Sequence, residues 1–529
     1  MQLIYYISCS ILIFITIYLY YSNLSNNQQV VFHSNILLTN NEENKCLNLQ
    51  NIESTTIEIR HRLRNLFDLL GNSFSYNTKD NLRDSRSELV RKQFGYLLSE
   101  IEQLTESNVD THKKVLDELA QHINNTLYRL QYPNDCNNRR LLVCYINLPI
   151  CGFGCIIHHI SFCLHISTSS NRTLVFENDG TKWYYSFKWT DVFKQITSCN
   201  YEKHVRPFLP LSKYTSTEQQ DKVLLLRIRY EVERELILPH SPEAVPLEFK
   251  EILTEHHTNP PAWFMGQIIK FVLRENQTTS AKLNKVEATF NLGNASFAGI
   301  HVRRTDKGVE APFQKLEGYM KWIDFWYNSE EIKIQNSKLN SKKQQNKTLN
   351  KRRLFIATDE PKTIIEELSK SWGSQYELLH NKINASYGNR YHDPQRQSED
   401  SFLAIFAEIR TLARSRFVVC TFSSNVCRLV YELMQAYQGY AGDNVYSIDY
   451  DYAERGGEKE MISISDYKAK NKDEIDALEG DIIIFKKQKL NGFIGGLNTR
   501  TKKEGKFPLS LLKEKFKFLS FPVFSLNTE

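Results

Sequence analysis

Two adjacent arginines, Arg303 and Arg304, close an apolar run in GIHVRRTDKG (Gly299 to Gly308), with His301 just before them and Asp306 and Lys307 just after. A guanidinium presents a planar fork of donors that matches phosphate oxygens, and two in succession suit a diphosphate. The alternative use of either arginine is a buried ion pair with Asp306. Two other stretches are built alike. In VVCTFSSNVCRLVYELM an apolar run gives way to a Ser-rich turn and then to a helical pattern. There Ser423, Ser424 and Asn425 can cap the helix and present its free amide groups to an anion. In ATDEP, Asp359 and Glu360 follow a third apolar run and could hold a ribose or a base. Three run ends thus converge on one nucleotide-like ligand.

Two metal readings compete with this one. CGFGCIIHH offers Cys151, Cys155, His158 and His159 at plausible zinc spacing. On a helix, however, adjacent histidines point about 100° apart and do not easily share one ion. The triplet DYD, Asp449 to Asp451, imitates the metal-binding DxD of some glycosyltransferases, but so short a triplet is common by chance.

These residues need a frame. RRLLVCYI, NRTLVFEN, ASFAGIHV, RRLFIATDE, RSRFVVCTF and DNVYSIDY read as buried strands, and amphipathic segments such as Pro361 to Trp372 and Ser401 to Ala413 read as helices between them. Such alternation predicts an open, mainly parallel α/β sheet, where ligands bind at the carboxyl ends of strands. The Lys, Asn and Gln-rich run from Ser329 to Arg353 interrupts the pattern and reads as a solvated surface loop.

Before the sheet, three segments place apolar residues at alternating steps of four and three: Ile59, Leu63, Leu66, Leu70; then Val90, Phe94, Leu97, Ile101, Leu104; then Leu116, Leu119, Ile123, Leu127, Leu130. This is a coiled-coil seam, and it predicts self-association. The stretch from Leu3 to Tyr21 carries no charge and has the length of a membrane-spanning helix. Asn-x-Ser/Thr sequons at Asn124, Asn171, Asn276, Asn294, Asn346 and Asn384 follow it, which fits a luminal body. From Cys136 to Cys427 the cysteines form an even, clustered set, as disulfides do in an oxidising compartment. A chain of 529 residues, 41% apolar and 24% charged, holds several domains. The net charge of +6 is diffuse, with no basic stripe, and this argues against nucleic acid.

Taken in order, CGFGCIIHHISFC, HVRRTDK with a following acidic residue and APF, ATDE, and VVCTFSSNVCRLVYELM resemble the eukaryotic α-1,6-fucosyltransferases that place core fucose on N-glycans. The resemblance runs from about Leu116 to Phe518. It implies a type II Golgi membrane enzyme with a coiled-coil stem, a metal-independent catalytic domain with a Rossmann-type donor half, and a C-terminal SH3-like domain. It implies no cofactor, GDP-fucose as donor and an N-glycan acceptor. Arg303 is similar to the arginine on the β-phosphate, with Arg304 and His301 beside it. Asp359 resembles the acidic residue near the guanosine, Gly152 and Tyr185 resemble further donor contacts, and Ser424 resembles a phosphate-side serine. Lys307 and Glu310 look like the base relay. By similarity the disulfides are Cys136 to Cys199, Cys144 to Cys163, Cys151 to Cys155, and Cys420 to Cys427.

Three departures stand out. Only Gly308 and Val309 separate Lys307 from Glu310, one residue fewer than in the family. Glu408 replaces an aspartate on the helix before VVCTFSS. In the C-terminal domain, Lys489 and Leu490 replace a histidine and a tryptophan, so ordinary proline-peptide binding is not expected. The resulting layout is a tail at 1–2, a membrane anchor at 3–21, a flexible stalk at 22–50 and a coiled-coil stem at 51–132. A catalytic domain at 133–455 follows, with its donor half at about 296–450, then an SH3-like barrel at 456–519 and a tail at 520–529. The expected activity is inverting transfer of fucose to the 6-hydroxyl of the innermost GlcNAc. The alternative is a catalytically weak glycan-binding or scaffold protein that keeps the fold.

Overall fold

A computed structural model describes residues 112–148, 151–205, 223–226, 244–305, 308, 311–340, 351–382, 394–449, 452, 459–490, 493–508 and 511–525. All belong to one compact unit, Glu53–Glu529. The expected anchor, the stalk and the first two seam segments lie outside the described residues. Among the described residues no helix is long and apolar enough to cross a membrane.

The third seam segment forms helix α1, residues 112–131. Its seam does not face a second chain: Leu116, Leu119, Ile123 and Leu127 are buried in the main core of the body. The Thr173 hydroxyl donates to the Leu130 carbonyl at 2.6 Å, and the Leu174 amide donates to Gln131 Oε1 at 3.1 Å. The stem expectation is thereby corrected at its C-terminal end, because a heptad-like stripe serves equally well to bury a helix on its own domain.

Strand β1 (Leu141–Cys144), helix α2 (Phe153–Ser169), β2 (Thr173–Phe176) and β3 (Val223–Leu226) build a three-stranded parallel sheet in the order β2-β1-β3. Next come β4 (Ala244–Pro246), α3 (Lys250–His256), α4 (Pro260–Val272) and α5 (Gln277–Ala288). A second parallel sheet comprises β5 (Ala298–Val302), β6 (Arg352–Thr358), β7 (Tyr376–His380), β8 (Phe417–Cys420) and β9 (Val445–Ser447). Its helices are α6 (Leu316–Asn340), α7 (Pro361–Trp372), α8 (Glu399–Leu412) and α9 (Asn425–Gln438). The order β7-β6-β5-β8-β9 sends the chain outward from β5 and then back to its other side. This is the doubly wound arrangement, whose switch point lies between β5 and β8. Every residue of β5 and β8 is buried, as their continuous apolar runs require.

Helix α6 corrects the loop expected from Ser329. The helix continues through Asn340 because Ile332 is buried and Glu331 binds Arg352 at the start of β6, with Nε to Oε1 at 2.9 Å. Hydrophilic composition hid a helix with one packed face.

The C-terminal region is a separate antiparallel sheet in the order β13-β12-β11-β10-β14. It uses β10 (Lys459–Ser463), β11 (Ile482–Leu490), β12 (Phe493–Asn498), β13 (Glu504–Pro508) and β14 (Leu512–Glu514). Its own core contains Met461, Ile483, Ile494, Phe507 and Leu512. Strand β15 (Lys517–Leu519) leaves that sheet and pairs in parallel with β4. Phe521 and Phe524 then bury in the main core, so the first residues of the expected 520–529 tail are anchored.

Candidate functional site at the switch point

β5 and β8 pair from Ala298↔Phe417 to Ile300↔Val419, which brings the ends of HVRRT and CTFSS side by side. β6 runs on the other side of β5, with Val302 opposite Thr358. Asp359 therefore follows directly beside the arginine loop. Its carboxylate accepts from the Arg304 amide at 2.9 Å, from the Thr305 amide at 3.1 Å and from the Thr305 hydroxyl at 2.5 Å. Arg303 Nε lies 3.6 Å from the same group. Arg304 Nη1 reaches Glu367 on α7 at 3.1 Å. The acids paired with the arginines are thus Asp359 and Glu367, while Asp306 lies outside the described residues. His301 is buried on β5, and Asp359 is buried at the end of β6.

Two helices begin at this edge, and glycine brings them into contact. A Cβ on Gly154, in the first turn of α2, would fall 2.9 Å from backbone atoms of Asn425 and Val426 in the first turn of α9. Farther along, a Cβ on Gly266 of α4 would fall 2.2 Å from the Glu432 carbonyl oxygen. Neither Gly152, the residue that starts α2, nor Ser424, which starts α9, places a side chain on its helix's free amides, and neither first turn carries an acid. The expectation that a serine caps α9 is corrected. Two uncapped, positively polarised helix ends therefore abut. Cys151–Cys155 staples the turn into α2, and Cys420–Cys427 staples the turn into α9. Cys136–Cys199 and Cys144–Cys163 complete the four pairings that the resemblance implied.

Two residues not singled out in the sequence, Tyr319 and Arg396, join Tyr185 and Glu408 around the site. Tyr319 of α6 is buried, its hydroxyl bonded to the Thr421 side chain, with Asp449, Arg304 and Asp359 around it. Burial pushes its phenol well above the ordinary range, and Asp449 adds to the shift. Arg396 approaches Gly152: a Cβ there would lie 3.0 Å from Nη2. The same guanidinium acts on Tyr185, a buried phenol pushed far up by desolvation and, secondly, by Tyr184. Tyr185 stacks on Phe187 and meets Phe402 edge-on. Glu408 is buried on α8. Only non-local contacts mark Tyr319 and Arg396, so no local signal betrayed them.

The competing metal ligands have other uses. Cys151 and Cys155 are spent in their disulfide. His158 lies between the Gly154 carbonyl oxygen and Glu432, each at 2.7 Å, and Tyr452 donates to the other Glu432 oxygen at 2.6 Å. His159 donates to the Tyr145 carbonyl at 2.7 Å, and burial lowers its pKa to about 4. Asp449 of the DYD triplet accepts from the Ser423 amide at 3.3 Å and from the Ser447 hydroxyl at 3.0 Å. It braces the β8–α9 turn; Asp451 lies outside the described residues, as do Lys307 and Glu310.

Residues 21–452, which contain all of these positions, match the family model for alpha-(1,6)-fucosyltransferase N- and catalytic domains. An alpha-(1,6)-fucosyltransferase of Caenorhabditis elegans is 33% identical over 460 residues, covering 84% of this chain and 76% of that protein. One from Drosophila melanogaster is 30% identical over 439 residues, covering 81% of this chain and 66% of that protein. A crystal structure of NodZ alpha-1,6-fucosyltransferase soaked with GDP-fucose aligns at 11% identity and a TM-score of 0.31, over 56% of this chain and 93% of that one. On the family match and the relatives' identity, the chain belongs to the α-(1,6)-fucosyltransferases.

Proposed function

We infer that the protein transfers fucose from GDP-fucose, in α-1,6 linkage, to the innermost GlcNAc of N-glycans. The observation that carries this reading is the family match, because it spans the whole switch-point site. The geometry suits the donor: a leaving diphosphate needs fixed positive charge, and here paired arginines stand beside two abutting helix ends.

In the proposed reaction the acceptor 6-hydroxyl attacks fucose C1 from the face opposite the diphosphate, and the C1–O bond to GDP breaks with inversion. Glu310, relayed through Lys307, takes the hydroxyl proton. Arg303 meets the β-phosphate, with Arg304 and His301 beside it, while amides at Gly152 and Ser424 face the phosphates. Asp359 and Tyr185 bound the nucleoside side, and Glu408 supports the pocket wall. Positive charge of this kind makes a metal unnecessary to the leaving group.

We further propose single-pass anchoring in the Golgi membrane through residues 3–21, a luminal body, self-association through the stem segments that precede α1, and an SH3-like role for the C-terminal sheet at the acceptor. Mass spectrometry of an agalacto biantennary N-glycopeptide, incubated with the detergent-solubilised full chain and GDP-fucose, tests the activity. Gain of one fucose on the reducing-end GlcNAc is expected; GDP-fucose binding without transfer would favour the glycan-binding alternative.

A further inference from the structure

At the opposite end of α9 from the donor site, α1, α4 and the end of α9 enclose a cavity of about 290 Å³. It lies near the lower bound of small-ligand sites, about 300 Å³, and suits one sugar ring better than an oligosaccharide. Asp117, Ala120, Gln121 and Asn124 reach it from α1 at helical spacing of three and four, on the side away from the core residues Leu119 and Ile123. Trp263 and Gln267 form its wall on α4. Trp263 is fully buried, yet its indole N–H has no hydrogen-bond partner among the described residues. The indole nitrogen is as closed off as the rest of the ring, so Trp263 gives the wall an apolar face rather than a donor to an occupant. Gln267 is likewise buried, at 6% exposure.

The rim supplies the occupant. Asn124 is exposed, lines the cavity and heads the sequon Asn124-Asn125-Thr126. We propose that Asn124 carries an N-glycan whose first GlcNAc seats in this cavity, its acetamido group meeting Gln267 and its ring lying against the apolar wall of Ala120 and Phe271. A sugar bonded to Asn124 is held at the mouth by its own linkage and meets the pocket at high effective concentration. Thr126 is buried once α1 docks, so the sequon is read before the helix packs. The other described sequons offer no such seat. Asn276 spends its side-chain amide on the Asp191 carbonyl at 2.9 Å while its oxygen starts α5. Asn171 accepts from Arg139 at 3.3 Å, and Asn294 is exposed on the segment before β5.

This inference rests on the luminal placement of the body. The test uses the full chain made in a secretory eukaryotic cell, treated in its native state with an endoglycosidase that cuts between the two core GlcNAc residues, with glycopeptides read by mass spectrometry. Asn124 and Asn294 are both expected to be occupied, and cleavage at Asn124 should be slower by about tenfold or more, because it requires the sugar to leave its seat. Ala120→Trp, which fills the seat, and Gln267→Ala should each close that gap, and detergent denaturation of the wild-type chain should abolish it without any mutation. Occupied Asn294 with bare Asn124, or equal native cleavage at both, overturns the inference alone. Both sequons bare would overturn the luminal reading together with it.

Discussion

Replacing Asp359 with asparagine removes one charge and changes one atom, which makes it a sharp probe of the arginine loop. The carboxylate serves the Arg304 amide through Oδ1 and both the Thr305 amide and hydroxyl through Oδ2, and it faces Arg303 across 3.6 Å. Asparagine keeps one oxygen. If its NH₂ takes the Oδ1 place, the Arg304 amide loses its acceptor; if it takes the Oδ2 place, the Thr305 amide does. Either way at least one hydrogen bond to a charged group is lost at a buried site, which costs about 2 to 3 kcal/mol. Spent on holding Arg303 and Arg304 in place, that loss corresponds to a fall in kcat/KM of about 30- to 150-fold. Steady-state kinetics with varied GDP-fucose, together with calorimetric GDP binding, give the answer. The donor KM and the GDP Kd should rise together, because the loop loses position while both arginines keep their charge. A kcat/KM within threefold of wild type, with unchanged GDP binding, would refute the claim that Asp359 sets the loop.

Arg303→Lys keeps the charge but loses the planar fork, so turnover should drop by about 10²-fold or more; near-normal turnover would remove Arg303 from the diphosphate. Excess EDTA should leave turnover intact, whereas loss of activity that manganese restores would reopen the metal reading. Gly266→Ala drives a methyl group to 2.2 Å from the Glu432 carbonyl oxygen, and the helices must part at a cost of about 3 kcal/mol, read as a lowered urea midpoint; an unmoved midpoint contradicts the packing described. Glu310→Gln should lower kcat by about 10²- to 10⁴-fold with GDP affinity scarcely changed, and joint loss of both would make Glu310 structural rather than catalytic.

The strands of the five-stranded parallel sheet were legible because each is a short, mainly apolar run bounded by charge or turn residues, as burial on both faces demands. Pro361 to Trp372 matches its helix residue for residue, since proline at the first turn and an amphipathic period mark it locally. Where composition and packing diverge, reading by pattern failed. The leucine seam of α1 looks the same whether it meets a partner chain or its own core. The polar run from Ser329 conceals a helix held by one buried isoleucine and one ion pair to β6.

The same distinction explains which parts of the site escaped notice. Arg303, Arg304 and Ser424 sit where strand ends must lie, so their position follows from the order of local elements. Tyr319, Arg396 and the His158–Glu432–Tyr452 chain come from segments far apart in sequence, and nothing local requires their types. Yet these contacts decide whether the local pieces add up. His158 ties the first turn of α2 to the middle of α9, and Gly154 lets the two helix starts touch. A bulkier residue at Gly154 would separate two partial positive charges that, in the proposed reaction, act on one diphosphate only while they are adjacent. The glycine was visible in CGFGC, but its reason lies 271 residues away, at Asn425.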